Sequence, residues 1–242
     1  MIDLGVSVRA LNQALRRIDM EISDLSAVLL THEHTDHIKG LATFVKKYDV
    51  PVYATFGTAA AILQKLPQAK KNLRLFAGGE AFSIAELQVQ SMPISHDAAE
   101  PVAYRIDGGG HQLGYVTDTG FLSEEVRQAI CGCDTVVLES NHDVDMLKHG
   151  PYPFYLQQRI LGKLGHLSNE ACAVEALEAV KNGAKRLVLA HLSDKNNNPL
   201  TALRCTQHAL RGADCEVYVA PRGAMEQPIP LTEEDKQCCM FD

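Results

Sequence analysis

The sequence predicts a mixed α/β (α+β) fold, a single domain of packed β-sheets covered by helices. Three observations lead there. Strand-like and helix-like segments are interleaved without the strict rhythm of repeated βαβ units. The hydrophobic period is helical near the start and changes to two-residue alternation in the middle. The 242 residues contain no internal repeat, no low-complexity stretch and no linker, so one domain over 1–242 is expected, with 232–242 as a polar tail.

In chain order, Val8, Leu11, Leu15 and Ile18 recur at helical spacing behind Ser7, which is placed to cap. Ala27 to Leu30 is a short apolar strand, and Ile38 to Tyr48 reads as the helix after it. Val52 to Ala54 predicts a strand and about Thr58 to Leu66 a helix. Leu87 to Met92, Val102 to Ile106 and Leu113 to Val116 are β candidates, the last two joined by the turn DGGG. Thr135 to Leu138 and Leu187 to Ala190 are buried-strand runs. Between them Glu170 to Lys181 is a helix capped by Ser168 or Asn169 and closed by Gly183. Pro199 starts a helix and Glu216 to Val219 forms a last strand.

Composition narrows the classes. No apolar run approaches the roughly 18 residues of a membrane span, so no membrane partner is expected. The N-terminus MIDLGVSVRALNQALRRI has none of the marks of a secretory signal, so a cytoplasmic location is expected. The seven cysteines form neither a disulfide ladder nor paired CxxC knuckles, and read as reduced thiols, mostly buried. A net charge of −7 argues against a broad phosphate-gripping surface but not against a local basic or metal-rich groove.

The chemistry concentrates in THEHTDH, Thr31 to His37, directly after the apolar run AVLL. In extended backbone His32 and His34 leave on the same side and can reach one metal. Asp36 and His37 follow where the chain turns into a helix, toward a neighbouring position. Other strand ends supply matching residues: His96 after Ile94, Asp118 after LGYVT, and His191 after RLVLA. Loops at one edge of a rigid sheet are where sites are assembled. The expected ligand sets are His32, His34 and His96 for one divalent ion and Asp36, His37 and His191 for a second, with Asp118 bridging both. Imidazole and carboxylate donors without thiolate suit Zn or Mn, and Fe also. Glu33 points away from the ligands, in a solvated or supporting role. Asp3 is a turn residue or a partner that orients a ligand histidine. His111, His149 and His208 read as solvated.

HxHxDH followed by His96, Asp118 and His191 resembles the metallo-β-lactamase superfamily over nearly the whole chain. The resemblance implies an αββα sandwich, two mixed β-sheets flanked by helices, with a two-metal site at one sheet edge. Asp118 stands where some β-lactamases of the superfamily carry a cysteine ligand; this resembles the glyoxalase II and nuclease branches, so antibiotic hydrolysis is discounted. LESNHD at Leu138 to Asp143, GPYP at Gly150 to Pro153 and GHLSNEA at Gly165 to Ala171, with THEHTDHIKG, narrow the likeness to the YycJ/WalJ-like branch of cytoplasmic 5′-to-3′ DNA exonucleases. The same positions are similar to RNase Z and RNase J proteins, where a Glu after a strand and a His in an HST or HLS motif flank the metals. By that resemblance Glu139 and His166 form an active-site pair. The alternative is that His166 only precedes a helix cap and Glu139 makes a local hydrogen bond. Members of the branch begin with a β-hairpin and a GSSGN-like loop, whereas this chain opens at MIDLG. About two strands are therefore expected to be absent, and an uncovered edge would promote homo-oligomers.

The function that follows is dinuclear metal-dependent phosphodiester hydrolysis, with nucleic acid, DNA in the first place, as substrate. Two cations bridged by Asp118, with Asp36 alongside, would hold a water, lower its pKa toward about 7 and clamp phosphate oxygens. His166 would protonate the leaving oxygen and Glu139 would orient His166. Arg159 and Lys163 are candidate substrate contacts, with a solvated helix face as the alternative. Tyr152 and Phe154 pack in the core or stack on a base. A small-ester or thioester hydrolase of the glyoxalase II or lactonase type competes with this reading, as does a catalytically impaired metal-binding protein. The discriminator against the ester hydrolase is whether His166 lies at the metals and a basic groove leads there.

Overall fold

The computed structural model describes residues 1–221 and residue 229; the tail at 232–242, with Cys238 and Cys239, lies outside the described residues. In chain order its elements are α1 (Val8–Arg16), β1 (Val28–Leu29), α2 (Thr35–Ile38), α3 (Leu41–Lys47), β2 (Val52–Thr55), α4 (Phe56–Lys65), β3 (Leu73–Phe76), β4 (Ala81–Ile84), β5 (Leu87–Pro93), β6 (Val102–Gly108) and β7 (His111–Val116). They continue with α5 (Glu124–Ile130), β8 (Thr135–Glu139), α6 (Val144–His149), α7 (Phe154–Leu161), α8 (Asn169–Lys181), β9 (Arg186–Ala190), α9 (Pro199–Ala209) and β10 (Glu216–Val219).

The strands form two sheets, one ordered β1-β2-β3 and one ordered β10-β9-β8-β7-β6-β5-β4. The first is parallel throughout; in the second, β4 to β7 pair antiparallel and β7 to β10 parallel. Two-residue alternation sorts the side chains into layers. Ala27 and Leu29 face inward with Phe76, Ile84, Val89, Val102 and Tyr104, filling the space between the sheets. Val28 and Leu30 point the other way, into a core closed by Leu11 and Leu15 of α1, Phe44 of α3 and Ile62 of α4. On the far face of the large sheet, Val136, Leu138, Leu187 and Leu189 pack under Val126 of α5, Cys172 and Ala176 of α8 and Ala202 of α9. The result is helices, sheet, sheet, helices, as the resemblance implies. Across the inner layer the fully buried Tyr104 hydroxyl donates to Leu30 O at 2.5 Å, and Val102 N donates to Thr31 O at 3.0 Å.

Helix starts follow side-chain caps. Ser7 Oγ accepts from Ala10 N at 3.2 Å, Ser168 Oγ from Ala171 N at 3.2 Å and Asn198 Oδ1 from Thr201 N at 2.9 Å, so Ser168 rather than Asn169 is the cap of α8. Two expectations change. Helix α1 stops at Arg16, leaving Ile18 in a turn and 41% exposed. The expected helix Ile38 to Tyr48 is broken into α2 and α3 at Gly40. There the N-terminal segment crosses: Gly40 N donates to Leu4 O at 2.8 Å, and a Cβ on Gly40 would lie 2.3 Å from Val6 O. Of the five described cysteines, all free, Cys133 and Cys172 are buried while Cys131 is exposed.

Candidate metal centre

Every expected ligand sits just beyond the carboxyl end of a strand, at one edge shared by both sheets. The loop after β1 carries His32 to His37, the loop after β5 carries His96, and Asp118 and His191 follow β7 and β9. Asp118 and His191 have φ of 59° and 56°, and Asp3 has 54°. Left-handed backbone is uncommon for residues other than glycine and collects at functional sites. Here all three residues lie at the centre, Asp118 and His191 just after the strands that deliver them.

Two groups of side chains converge. His32, His34 and His96 place ring nitrogens within 4.8 Å of one another, and a carboxylate oxygen of Asp36 and ring nitrogens of His37 and His191 do the same. Asp118 joins the groups, grouping with His32 and His37 on one side and with His191 on the other. Its Oδ2 lies 3.4 Å from His37 Nε2 and its Oδ1 3.3 Å from His191 Nε2.

Hydrogen bonds fix which nitrogen of each ring faces inward. His37 Nδ1 donates to Asp3 Oδ2 at 2.7 Å, and Asp3 also accepts from Thr31 N and Thr31 Oγ1, both at 2.8 Å. His37 Nε2 is thereby left toward Asp118. Asp3 is thus the orienting partner of a histidine, one of its two expected roles. His96 Nδ1 lies 3.3 Å from Gly165 O, leaving Nε2 toward His34 Nδ1 at 3.3 Å. The pattern suits cations: His32 Nε2 is buried without a hydrogen-bond partner among the described residues, and the buried Asp118 Oδ2 faces His37 Nε2 at a long 3.4 Å. Such orphaned polar atoms are costly unless something else engages them. The surrounding donors are imidazole nitrogen and carboxylate oxygen, the set that takes Zn, Mn or Fe.

Electrostatics tell the same story. Burial and the neighbouring His37 push His32 down to about 3. Burial also opposes charge on His37, but its hydrogen bonds to Asp118 and Asp3 outweigh it and hold that ring at about 10. His191 is raised as well, Asp118 and Asp36 overcoming its burial. Two protons thus occupy positions from which a divalent ion would displace them.

The second layer is organised by Glu139, the last residue of β8 and fully buried. Its Oε1 accepts from His166 Nδ1 at 2.7 Å and from His191 Nδ1 at 2.8 Å; its Oε2 accepts from Thr119 N and Leu167 N, each at 3.1 Å. Burial would raise this carboxyl, but His166 and His191 bring it down to about 2. His166 lies 3.9 Å from Asp118 and is raised, Glu139 prevailing over burial. His142 of the same motif is 1% exposed and has no side-chain hydrogen bond among the described residues; burial lowers it to about 4 against the pull of Glu139.

The centre opens into a cavity of about 460 Å³ whose walls include His34, Asp36, Asp118, His166 and His191 with Tyr152, Leu156, Arg159 and Ile160. Arg159 Nε donates to Asp97 Oδ2 at 2.5 Å, so Asp97 holds the cation at the rim. Lys163 does not line the cavity; its carbonyl accepts from Ser95 Oγ at 2.9 Å. Phe154 is 73% exposed, which excludes the core packing expected for it, while Tyr152 faces the cavity. Glu33 Oε1 accepts from Ala99 N at 2.8 Å, bracing the loop that carries His96. His111, His149 and His208 join no ligand group among the described residues. Sequence reasoning missed Asp97 and Asn141, whose Nδ2 donates to His191 O at 3.0 Å. Their signal was position alone, Asp97 beside His96 and Asn141 inside LESNHD.

The model of the beta-lactamase superfamily domain matches residues 1–192. The chain is 38% identical over 200 residues to the exodeoxyribonuclease YycJ of Bacillus anthracis, covering 81% of this chain and 75% of that one. It is 34% identical over 241 residues to the exodeoxyribonuclease WalJ of Streptococcus pneumoniae serotype 2, covering 96% and 89%. Among solved structures, Zn(2+)-bound PqqB from Methylobacterium extorquens superposes with a TM-score of 0.66 at 20% identity, covering 92% of this chain and 81% of that one.

Proposed function

Because the chain belongs to the metallo-β-lactamase superfamily, with the YycJ and WalJ exodeoxyribonucleases among its relatives, we propose that it is a dinuclear metal-dependent phosphodiesterase that degrades DNA. One observation carries the choice within the superfamily: Glu139 and His166 are hydrogen-bonded at 2.7 Å beside Asp118, on the wall of the cavity. Phosphodiester cleavage expels an alkoxide that needs a proton, and this pair sets a carboxylate-held histidine where it can supply one, whereas a thioester's thiolate leaves without such help.

His32, His34 and His96 would hold one divalent ion and Asp36, His37 and His191 another, with Asp118 shared. When bound, Zn or Mn ions supply Lewis-acid polarisation of a phosphoryl oxygen and acidify a water. Asp3 and Glu139 keep His37 and His191 in the tautomer whose Nε2 lone pair faces the centre, because ionised carboxylates only accept hydrogen bonds. Glu139 also accepts from His166 Nδ1 and favours the ring that carries a proton on both nitrogens. Its Nδ1 proton stays on the carboxylate side, so the proton on Nε2 is the one available to the leaving oxygen. Burial of Glu139 keeps that orientation fixed, since no water competes for Oε1. A cytoplasmic setting agrees with the free thiols.

The test is cleavage of 5′-labelled single- and double-stranded DNA and RNA, in Mn and in Zn, by wild type beside Asp118→Ala and His166→Ala. DNA degradation by wild type, lost in both folded variants, is the expected result. A metal-loaded wild type that cuts a thioester or lactone and no polynucleotide would overturn the reading.

A further inference from the structure

The basic groove expected to lead to the metals is not formed by the cavity itself: its one cationic side chain besides the histidines, Arg159, is already tied to Asp97, and Asp36, Asp118 and Asp194 share the walls. Binding a polyanion needs cations elsewhere. A groove of about 720 Å³ between α1 and α3 has them, lined by Arg9, Asn12, Gln13, Arg16, Thr43 and Lys47 and by no acidic side chain among the described residues.

We propose that this groove binds the phosphodiester backbone of the DNA strand whose end enters the metal centre; the proposal rests on the nuclease reading. The charges are built into the helix. Val8, Leu11 and Leu15 bury one face of α1, so Arg9, Asn12, Gln13 and Arg16, at the complementary spacing, form the outward stripe. They are also uncommitted. Arg105, Arg127, Arg159 and Lys71 are each paired with a carboxylate, and Asp49, two residues from Lys47, is the partner of Lys71 at 2.7 Å. Arg9, Arg16 and Lys47 are exposed and in no ion pair among the described residues. In a chain of net charge −7, three unpaired cations facing one groove fit an anionic occupant.

Dimensions and continuity point to the strand. Seven helical rises separate Arg9 from Arg16, about 10 Å, over which one DNA strand presents about three phosphates. The backbone ties the groove to the centre. The chain passes from Asp3, which holds His37, through Leu4, whose carbonyl accepts from Gly40, to the cap Ser7; α3 begins four residues after His37. Thr43 follows His37 by six residues, across the break at Gly40.

The test is fluorescence anisotropy of a labelled single strand titrated with the full chain, with chelator present so that nothing is cut. Wild type is compared with R9E/R16E/K47E and R9A/R16A/K47A, each checked for an unchanged melt, and with the charge-conserving R9K/R16K/K47R. Both neutral and reversed triples should bind at least about tenfold more weakly, and the slope of log affinity against log salt should shrink by about 2, near 0.7 for each lost phosphate contact. The conserving triple should keep both. Equal affinity and slope in all four proteins would overturn the proposal, as would a wild type that binds phosphatidylglycerol vesicles and not the strand. A chain that binds the strand through these side chains yet cuts no polynucleotide when loaded with metal would sink the nuclease reading and leave the groove standing.

Discussion

Glu139→Gln isolates what the buried carboxylate does. The substitution keeps the shape and removes one acceptor. Thr119 N and Leu167 N both donate to Oε2 at 3.1 Å, so the glutamine must put its carbonyl oxygen there. Its NH₂ then occupies the place of Oε1, facing His166 Nδ1 and His191 Nδ1, which stand at 2.7 and 2.8 Å from that position. Two donors cannot face a donor, so both rings must move their proton to Nε2. Each lost bond is charge-assisted, worth about 1.5–3 kcal/mol. For His191 the inward lone pair disappears, and metal affinity at the Asp36, His37 and His191 group should fall about 10–100-fold. For His166 the proton is fixed in a neutral ring, and cleavage at saturating metal should fall by on the order of 10²–10⁴. Chelator-competition titration with Zn reads the first quantity and single-turnover cleavage the second. A Gln variant with wild-type affinity and wild-type cleavage rate would reduce Glu139 to a brace for the Thr119 and Leu167 backbone, and the tautomer argument would fail.

Three further outcomes are expected. In metal-free protein His37 is held at about 10 against an ordinary 6.5, so its contribution to stability is complete below 6.5 and is lost as pH rises toward 10. Urea melts should show this decline in chelator and a smaller one in Asp3→Asn, while apparent Zn affinity should weaken as pH falls because protons compete for the same rings. Gly5→Ala would place a methyl 1.9 Å from Asp36 O, so the loop carrying Asp36 and His37 must shift. A loss of about 1–3 kcal/mol in stability and a drop in metal affinity should appear together in melts and titrations, and a melt unchanged from wild type would count against the packing described. Leu138→Ala, at a fully buried position, should cost about 2–5 kcal/mol, whereas Phe154→Ser at 73% exposure should change a chemical melt by no more than about 0.5.

The ligand positions were legible because strand ends are marked twice, by an apolar run and by the polar residue that stops it. RLVLA before His191 and LGYVT before Asp118 each read this way. The long central strands and α8 were legible by period. Strands β3 and β4 were not: LRLF has two exposed residues and AFSI one buried, so neither shows a face. The break between α2 and α3 was hidden for a different reason. It is imposed by Leu4 and Val6 crossing Gly40, a contact between segments that no local pattern records. Helix α7 could be read only as a solvated face around Arg159, without bounds, because none of its residues is buried. The partners of Asp3 and Glu139 belong to the same class of information, since the donors they serve come from distant loops.

The distances along the chain within the centre carry a kinetic consequence. His37 meets Asp3 across 34 residues, and His191 reaches Asp36 across 155. Closing loops of that length is entropically demanding and comes late in folding. During synthesis the centre cannot be complete until His191 has emerged, when every strand but β10 and, among the described residues, eight of the nine helices already have their sequence. A complete set of ligands therefore forms only after most of the chain has been made. Ions scavenged earlier by the nascent THEHTDH segment would meet only a fragment of their final coordination shell.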